Sequence, residues 1–379
     1  MPDQTQSWLL PEALRREITD WFAQRALAVD RCQESAQKGL EMLAERGLLA
    51  KGISEELGGD GGALLEMVEV IATVASGCLT SAFVVWCQRM FLEYVATSQN
   101  PYLAEEVLPQ VLQVDRFGAT GLANAMKHFA SLEEIRVTAQ RTPEGYVLTG
   151  SLPWVSNLVD DRFVVAVAAR SGDDVILLAV PGDAAGLRCG PRYPLFGLEG
   201  TASASLRLDD VHLDTKWLIA DNGIVFLKKI RPIFLLLQSG LAWGLAEAAL
   251  HHAAAKLGGP RMALKDQAER LQNQFRYLVE EVRSLARVYD SADSSVSYRA
   301  LKVRKELAEL AVQAVWLELE AAGGAGYLSE SATARRLREA AFLPIQSPSF
   351  VQLRTELAQV EASRINGMGA VAGGGEETM

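Results

Sequence analysis

Four histidines and four cysteines are the obvious metal-ligating and nucleophilic residues of this 379-residue chain, and neither set has ligand spacing. His128, His212, His251 and His252 show no H-E-x-x-H arrangement, and His251 and His252, adjacent on a helix, point to different sides. Cys32, Cys78, Cys87 and Cys189 form no metal-binding pattern; three lie in apolar, helix-like surroundings and read as buried free thiols. No Walker loop, G-x-G-x-x-G turn or G-x-S-x-G elbow is present.

What remains for chemistry is an aromatic–hydroxyl pair and two glycine-rich turns. Residues 150–157 read GSLPWVSN and follow a β-prone run at 145–148. Trp154 offers a flat ring for stacking on another aromatic system, and Ser156 a hydroxyl that donates or accepts. The same pair suits a strand-end Trp filling the core and a Ser in a turn. Arg261 follows Gly258, Gly259 and Pro260, with Gln272 further along. An arginine there either grips a phosphate with two N–H donors or starts a helix in solvent. Gly323, Gly324 and Gly326 close an Ala/Leu-rich helix, and a C-cap is their simplest use. The run Lys228-Lys229-Ile230-Arg231 fits an anionic ligand or a solvated face.

The elements that must position these residues change character twice. Residues 1–115 read as helices by period and stop signals, at 11–29, 34–46, 63–76, 79–98 and 101–112, with a glycine-rich loop at 52–62. Residues 116–220 carry short β-prone runs at 135–139, 145–148, 162–168, 175–180 and 204–208, separated by turn formers. Residues 221–366 return to helices, at 224–257, 263–291, 294–321, 331–342 and 351–366, and a Gly-rich tail at 367–379 is expected to be disordered. The pattern alone gives a mixed α+β chain, mostly α.

A net charge of −10 argues against a nucleic-acid binder that relies on a basic surface. Two apolar stretches, 63–92 and 232–250, are interrupted by Glu66, Glu69 and Arg89, and by Gln238 and Glu247. Neither supplies the ~20 apolar residues of a membrane span, so no membrane partner is expected. The N-terminus lacks a basic region followed by an apolar run, and the unpaired thiols suit a reducing compartment, so a cytoplasmic location is expected.

Residues 323–349 (GGAGYLSESATARRLREAAFLPIQSPS) resemble the C-terminal signature of the acyl-CoA dehydrogenase family. The matches run from Tyr327 through Glu330, Arg335, Arg338, Glu339 (Asp in the family), Ala340 and Ile345. The resemblance covers nearly the whole chain, and it implies an N-terminal helical domain, a middle β-barrel and a C-terminal four-helix bundle. Residues 150–157 resemble the family's G-x-K-x-W-I-[ST]-[NG] segment, with Leu152 for the lysine. That implies stacking of Trp154 on a flavin and a Ser156 hydrogen bond to its redox-active nitrogen, the cofactor being FAD, or FMN. Residues 118–126 (GATGLANAM) stand where the family has T-E-P-x-x-G-S-D, with Asn124 or Thr120 at the Thr position. This segment either lines the pyrimidine edge of the flavin or is a plain barrel loop. Arg261 and Gln272 match part of a segment that holds the FAD of a neighbouring subunit, and Gly323 and Gly324 the turn that approaches its phosphates. Glu320 stands where the family commonly carries Gln. A homodimer or homotetramer is implied.

The resemblance also implies a general base. Removing the α proton of a thioester while a hydride leaves Cβ suits a carboxylate held beside Cα. Ser347 occupies the family's glutamate position, and residues 342–351 contain no Asp, Glu or His. The other location the family uses, here residues 226–243, also lacks a carboxylate. Ser347 reads as the N-cap of the following helix. The expectation is a divergent acyl-CoA dehydrogenase-like oxidoreductase acting on CH–CH groups of an acyl thioester, passing electrons to an acceptor. The alternatives are a flavin-dependent monooxygenase on the same fold, an enzyme whose base is Glu356 or His128, and a non-catalytic binding homologue.

Overall fold

The computed structural model describes residues 8–291 and 294–372. Helices α1 (Glu12–Asp30), α2 (Lys38–Glu45), α3 (Leu64–Gly77), α4 (Leu79–Thr97) and α5 (Leu108–Leu112) come first. α1 buries Ile18, Phe22, Ala26 and Val29, a single stripe at helical spacing. α4 is buried without interruption from Leu79 to Val95, so it runs through the centre of the molecule.

The middle of the chain supplies β1 (Phe117–Thr120), a short helix α6 (Ala123–Phe129), then β2 (Val137–Arg141), β3 (Gly145–Val155), β4 (Phe163–Ser171), β5 (Asp174–Pro181), β6 (Leu187–Cys189), β7 (Ala204–Asp214) and β8 (Leu218–Ala220). They form one mixed sheet in the order β6-β7-β3-β2-β4-β5-β8, with β1 parallel to β4. β4 pairs with β1 over Phe163–Ala166 and with β2 only at Arg170, so the sheet divides at β4. β4 is buried from Phe163 to Ala169, as a strand covered on both faces must be. β3 instead mixes buried and exposed positions. Its register against β7 slips between Leu148 and Gly150 and again between Leu152 and Val155. The second irregularity lies at Trp154 and turns that side chain away from the regular ladder.

The last part is α7 (Gly223–Ala254), α8 (Lys265–Ala286), α9 (Ser294–Ala322), α10 (Ala332–Ala340) and α11 (Phe350–Ala372). α7 crosses α3 at a separation only glycine permits. A Cβ on Gly244 would sit 1.9 Å from the Ala72 carbonyl oxygen, and one on Gly240 2.8 Å from that of Val68. α7 is long and apolar enough to cross a bilayer, yet 89% of its most apolar window is buried inside the protein, as in a core helix. One continuous apolar cluster joins residues of all three parts.

The helical, β, helical layout is the one the sequence implies. The differences lie at the ends of elements and in the short strands β1, β6 and β8, which the sequence reading did not include. Strands expected at 145–148 and 204–208 run on to Val155 and Asp214 because β3 and β7 pair along their length. The helix expected to begin at 263 begins at Lys265, behind a 3₁₀ turn over Gly259–Leu264. The segment 118–126 is not a plain loop but the end of β1 followed by α6. Of the tail at 367–379, residues 367–372 continue α11 and the rest lies outside the described residues.

Candidate active site

Trp154 leaves the end of β3 59% exposed. Its ring lies 4.4 Å from that of Tyr193, tilted by 44°. It is therefore not a core-filling residue: an accessible aromatic face stands at the edge of the sheet. The Tyr193 hydroxyl donates to the Pro153 carbonyl at 2.6 Å, which fixes the pair. Ser156 shares a 2.7 Å bond with the Ser203 hydroxyl, itself 2.7 Å from the Thr201 hydroxyl. Thr201 donates to the Leu198 carbonyl at 2.7 Å. This relay anchors Ser156 while leaving its hydroxyl capacity for a second partner.

A buried amide network sets the height of this strand end. Asn157, fully buried at φ +67°, donates to the Gly118 carbonyl at 2.9 Å and to Gln88 Oε1 at 3.2 Å, and accepts from Gln37 at 3.0 Å. Gln88 in turn accepts from the Gly118 N–H at 2.7 Å and donates to the Val111 carbonyl at 2.7 Å. Asn157 and Gln88 thus tie β3, β1 and α4 together beside the Trp154–Ser156 strand end. Asn124 has no free amide: it donates to Glu133 and to the Glu134 carbonyl at 3.1 and 2.9 Å, and accepts from the Arg136 N–H at 2.9 Å. Its side chain holds the 133–136 turn, so any ligand contact from this segment falls to backbone groups. Leu152 is buried and cannot take the place of an exposed lysine.

The charged residues of the C-terminal signature are structural. Glu339 accepts from Arg335 at 2.7 Å and from the N–H and hydroxyl of Thr80 at the start of α4. Arg338 pairs with Asp30, and Glu330 with Arg31 at 3.0 Å. These contacts clamp α10 onto α1 and α4 and so position the turn that follows.

That turn carries Ser347, half-buried, between buried Gln346 and Pro348. Ser347 is not the N-cap of α11. Ser349 is: its hydroxyl accepts from the Gln352 N–H at 3.3 Å, one step before the first helical residue, Phe350. The Ser347 hydroxyl faces the Ala123 carbonyl at 3.5 Å, and its own carbonyl accepts from Gln238 of α7 at 2.8 Å. Behind it, fully buried Arg304 donates to Gln238 at 3.0 Å and to Gln346 at 2.8 Å. Sequence reading missed this cluster. Its one visible signal was Gln238, an amide in the middle of an apolar run.

Of the two alternative bases, Glu356 is fully engaged, whereas His128 bonds through one ring nitrogen only among the described residues. Glu356 is buried, with one oxygen paired to Arg231 and the other accepting from Gln352 at 3.0 Å. His128 is half-buried, with Nδ1 3.0 Å from the Glu133 carbonyl. Two surface hollows, one beside Ala44 and Leu112 and one beside Tyr102 and Lys229, include none of these residues.

Arg261 and Gln272 are exposed, and neither side chain makes a hydrogen bond among the described residues. Gly323 ends α9 at φ +64°, where glycine is at home. Gly324 is different: it has no positive φ, and an added Cβ would meet nothing within 4 Å. Nothing in its own chain requires glycine there, which is what a backbone kept bare for an approaching group looks like. The accessible Trp154 and the Ser156 hydroxyl have the chemistry a flavin ring would meet, and bare Gly324 and uncommitted Arg261 and Gln272 the chemistry a diphosphate would meet. Glu320, exposed three residues before Gly323, is the one group of the wrong sign.

A family model described as "Acyl-CoA dehydrogenase, N-terminal domain" matches residues 9–115. A benzylmalonyl-CoA dehydrogenase of Aromatoleum aromaticum is 27% identical over 273 residues, covering 68% of this chain and 71% of that protein. Among solved structures, butyryl-CoA dehydrogenase of Megasphaera elsdenii superposes with a TM-score of 0.83 at 17% identity, over 94% of this chain and 100% of that one. A dibenzothiophene monooxygenase of Paenibacillus superposes with a TM-score of 0.76 at 18% identity, over 91% and 95%.

Proposed function

The chain belongs to the acyl-CoA dehydrogenase family, and from that premise we propose a flavin-dependent oxidoreductase that acts on the carbon–carbon bond beside the carbonyl of an acyl thioester. The observation that carries this reading is the exposed Trp154 face at the irregular end of β3, with the Ser156 hydroxyl two residues on. A flat cofactor ring stacked there would cover an indole that the chain itself leaves open.

FAD is the proposed cofactor, with FMN as the alternative, and when bound it would supply the hydride acceptor. Ser156, anchored by Ser203, would hold a hydrogen bond at the ring edge. Backbone groups around Asn124 would line another edge. Arg261 and Gln272, together with the Gly323–Gly324 turn of the same subunit, would frame the diphosphate of the neighbouring subunit's cofactor in a homodimer or homotetramer. The substrate would be an acyl-CoA, the electrons would pass to a separate acceptor, and the location would be cytoplasmic. The catalytic base is not assigned: Ser347 holds its place, and a serine hydroxyl is far too weak a base near neutral pH.

A second reading is a flavin-dependent monooxygenase. What favours it is the carboxylate-free turn at Ser347 in a fold that an oxygenase shares. A non-catalytic homologue is the third. The visible spectrum of the purified protein, followed by anaerobic addition of acyl-CoAs, separates them. Flavin absorbance that bleaches supports the first reading. Bound flavin that resists acyl-CoAs, with oxygen uptake once it is reduced, supports the second. Protein that stays colourless with added FAD removes both.

A further inference from the structure

Six arginines are buried among the described residues: Arg89, Arg231, Arg283, Arg304, Arg335 and Arg336. Five of them hold a carboxylate, namely Glu93, Glu356, Glu69, Glu339 and Glu318 in that order without Arg304. Arg304 holds none among the described residues. Its partners are the neutral amides of Gln238 and Gln346, and one of its terminal nitrogens, Nη1, has no hydrogen-bond partner among the described residues. The Gln346 amide nitrogen is likewise buried without an acceptor. Two donors without acceptors among the described residues thus lie beside this turn: one on Gln346, next to Ser347, and one on the charged Arg304 that bonds to Gln346.

A buried cation without a counterion is costly, and so is a buried donor without an acceptor. The chain accepts both at the one turn that would face a substrate's reacting carbons. The field of an uncompensated charge is weakly screened in such an interior. Burial alone lowers the Arg304 pKa, to about 10, which leaves it charged near neutral pH.

We propose that the Gln346–Ser347 turn seats an anionic group of the substrate, so that this enzyme takes acyl thioesters carrying a second, free carboxylate. This rests on the acyl thioester reading above and narrows it. The carboxylate of the ligand supplies the countercharge that the five other buried arginines receive from the chain. It accepts from Gln346 Nε2 and neutralises Arg304, directly or across the Gln346 amide. Replacing Ser347 by glutamate would put the countercharge in the chain itself.

The test is calorimetric titration of the purified, flavin-loaded protein with malonyl-, succinyl- and glutaryl-CoA against butyryl-CoA. At least one dicarboxylic thioester binds about tenfold or more tightly than butyryl-CoA. Arg304→Gln abolishes that preference and Arg304→Lys keeps most of it. Should Arg304→Gln fail to fold, Ser347→Glu carries the test: it raises the melting temperature and removes the preference. Equal affinity for butyryl-CoA and all three dicarboxylic thioesters overturns the inference and leaves the acyl-CoA reading standing. Binding of none of the four overturns both.

Discussion

Glu339 on α10 accepts a 3.2 Å hydrogen bond from the backbone N–H of Thr80, in the first turn of α4, although the two are 259 residues apart in sequence. The same oxygen takes the Thr80 hydroxyl at 3.3 Å, and the other oxygen takes Arg335 at 2.7 Å. A carboxylate at a helix N-terminus is favourably placed, and here it also neutralises a buried arginine. Glu339→Ala should destabilise by ~3–5 kcal/mol, because Arg335 is left uncompensated. Glu339→Asp, which keeps the charge, should cost less. Urea unfolding of the two variants checks this; equal costs would mean that the charge is not what matters.

Trp154 is exposed and contributes little to the fold. Trp154→Ala should leave the stability of the flavin-free protein within about 0.5 kcal/mol, while weakening flavin binding by ~1–3 kcal/mol. Titration by flavin fluorescence and a thermal melt of the apoprotein measure the two quantities independently. A large drop in apoprotein stability would return Trp154 to the role of a packing residue.

Glu247 gives the protein a pH dependence below neutrality. Burial pushes its carboxyl pKa up from 4.5 to about 7, Arg15 and Arg283 oppose the shift, and Glu69 adds to it. The folded state therefore holds a proton that the unfolded chain has released. The associated stability is fully present below about pH 4.5 and is lost as pH rises through about 7. The whole window is worth at most about 3 kcal/mol. Glu247→Gln should flatten the fall in stability between pH 5 and pH 8. Denaturant midpoints at those two pH values, for wild type and variant, are the measurement.

Ser347 stands where proton abstraction would need a base. Wild-type protein loaded with flavin should be bleached slowly or not at all by straight-chain acyl-CoAs, since a general base contributes 10²–10⁴-fold. Ser347→Ala should not change that rate. Rapid bleaching in stopped flow by both proteins would show that a group elsewhere does the work.

The layout of the fold was legible because it depends on local period. The long apolar faces of α7 and α9 and the punctuated strands of the middle part declare themselves within a dozen residues. β1 did not: it is four residues long, and what makes it a strand is parallel pairing with Phe163–Ala166, more than 40 residues later. The site was half legible. Trp154 and the glycine turn stand out by type, and the signature residues by spacing. The Ser347 surroundings did not, because Arg304 meets Gln238 and Gln346 across 66 and 42 residues. Nor could spacing show that Ser349, not Ser347, caps α11, since that depends on where the helix begins.

The bare crossing of α3 and α7 at Gly240 and Gly244 bears on how the chain is made. α3 lies in the first fifth of the polypeptide, and the helix it needs begins at Gly223. α4, buried on every side, needs both β1 and α7 to cover it. A ribosome must therefore release well over half of the sequence before the earliest helices find their neighbours. Until then a pair of helices rich in apolar residues is exposed, the kind of nascent segment that aggregates or recruits a chaperone. The order of synthesis and the order of consolidation differ, and a fragment ending near residue 115 would be left in that vulnerable state.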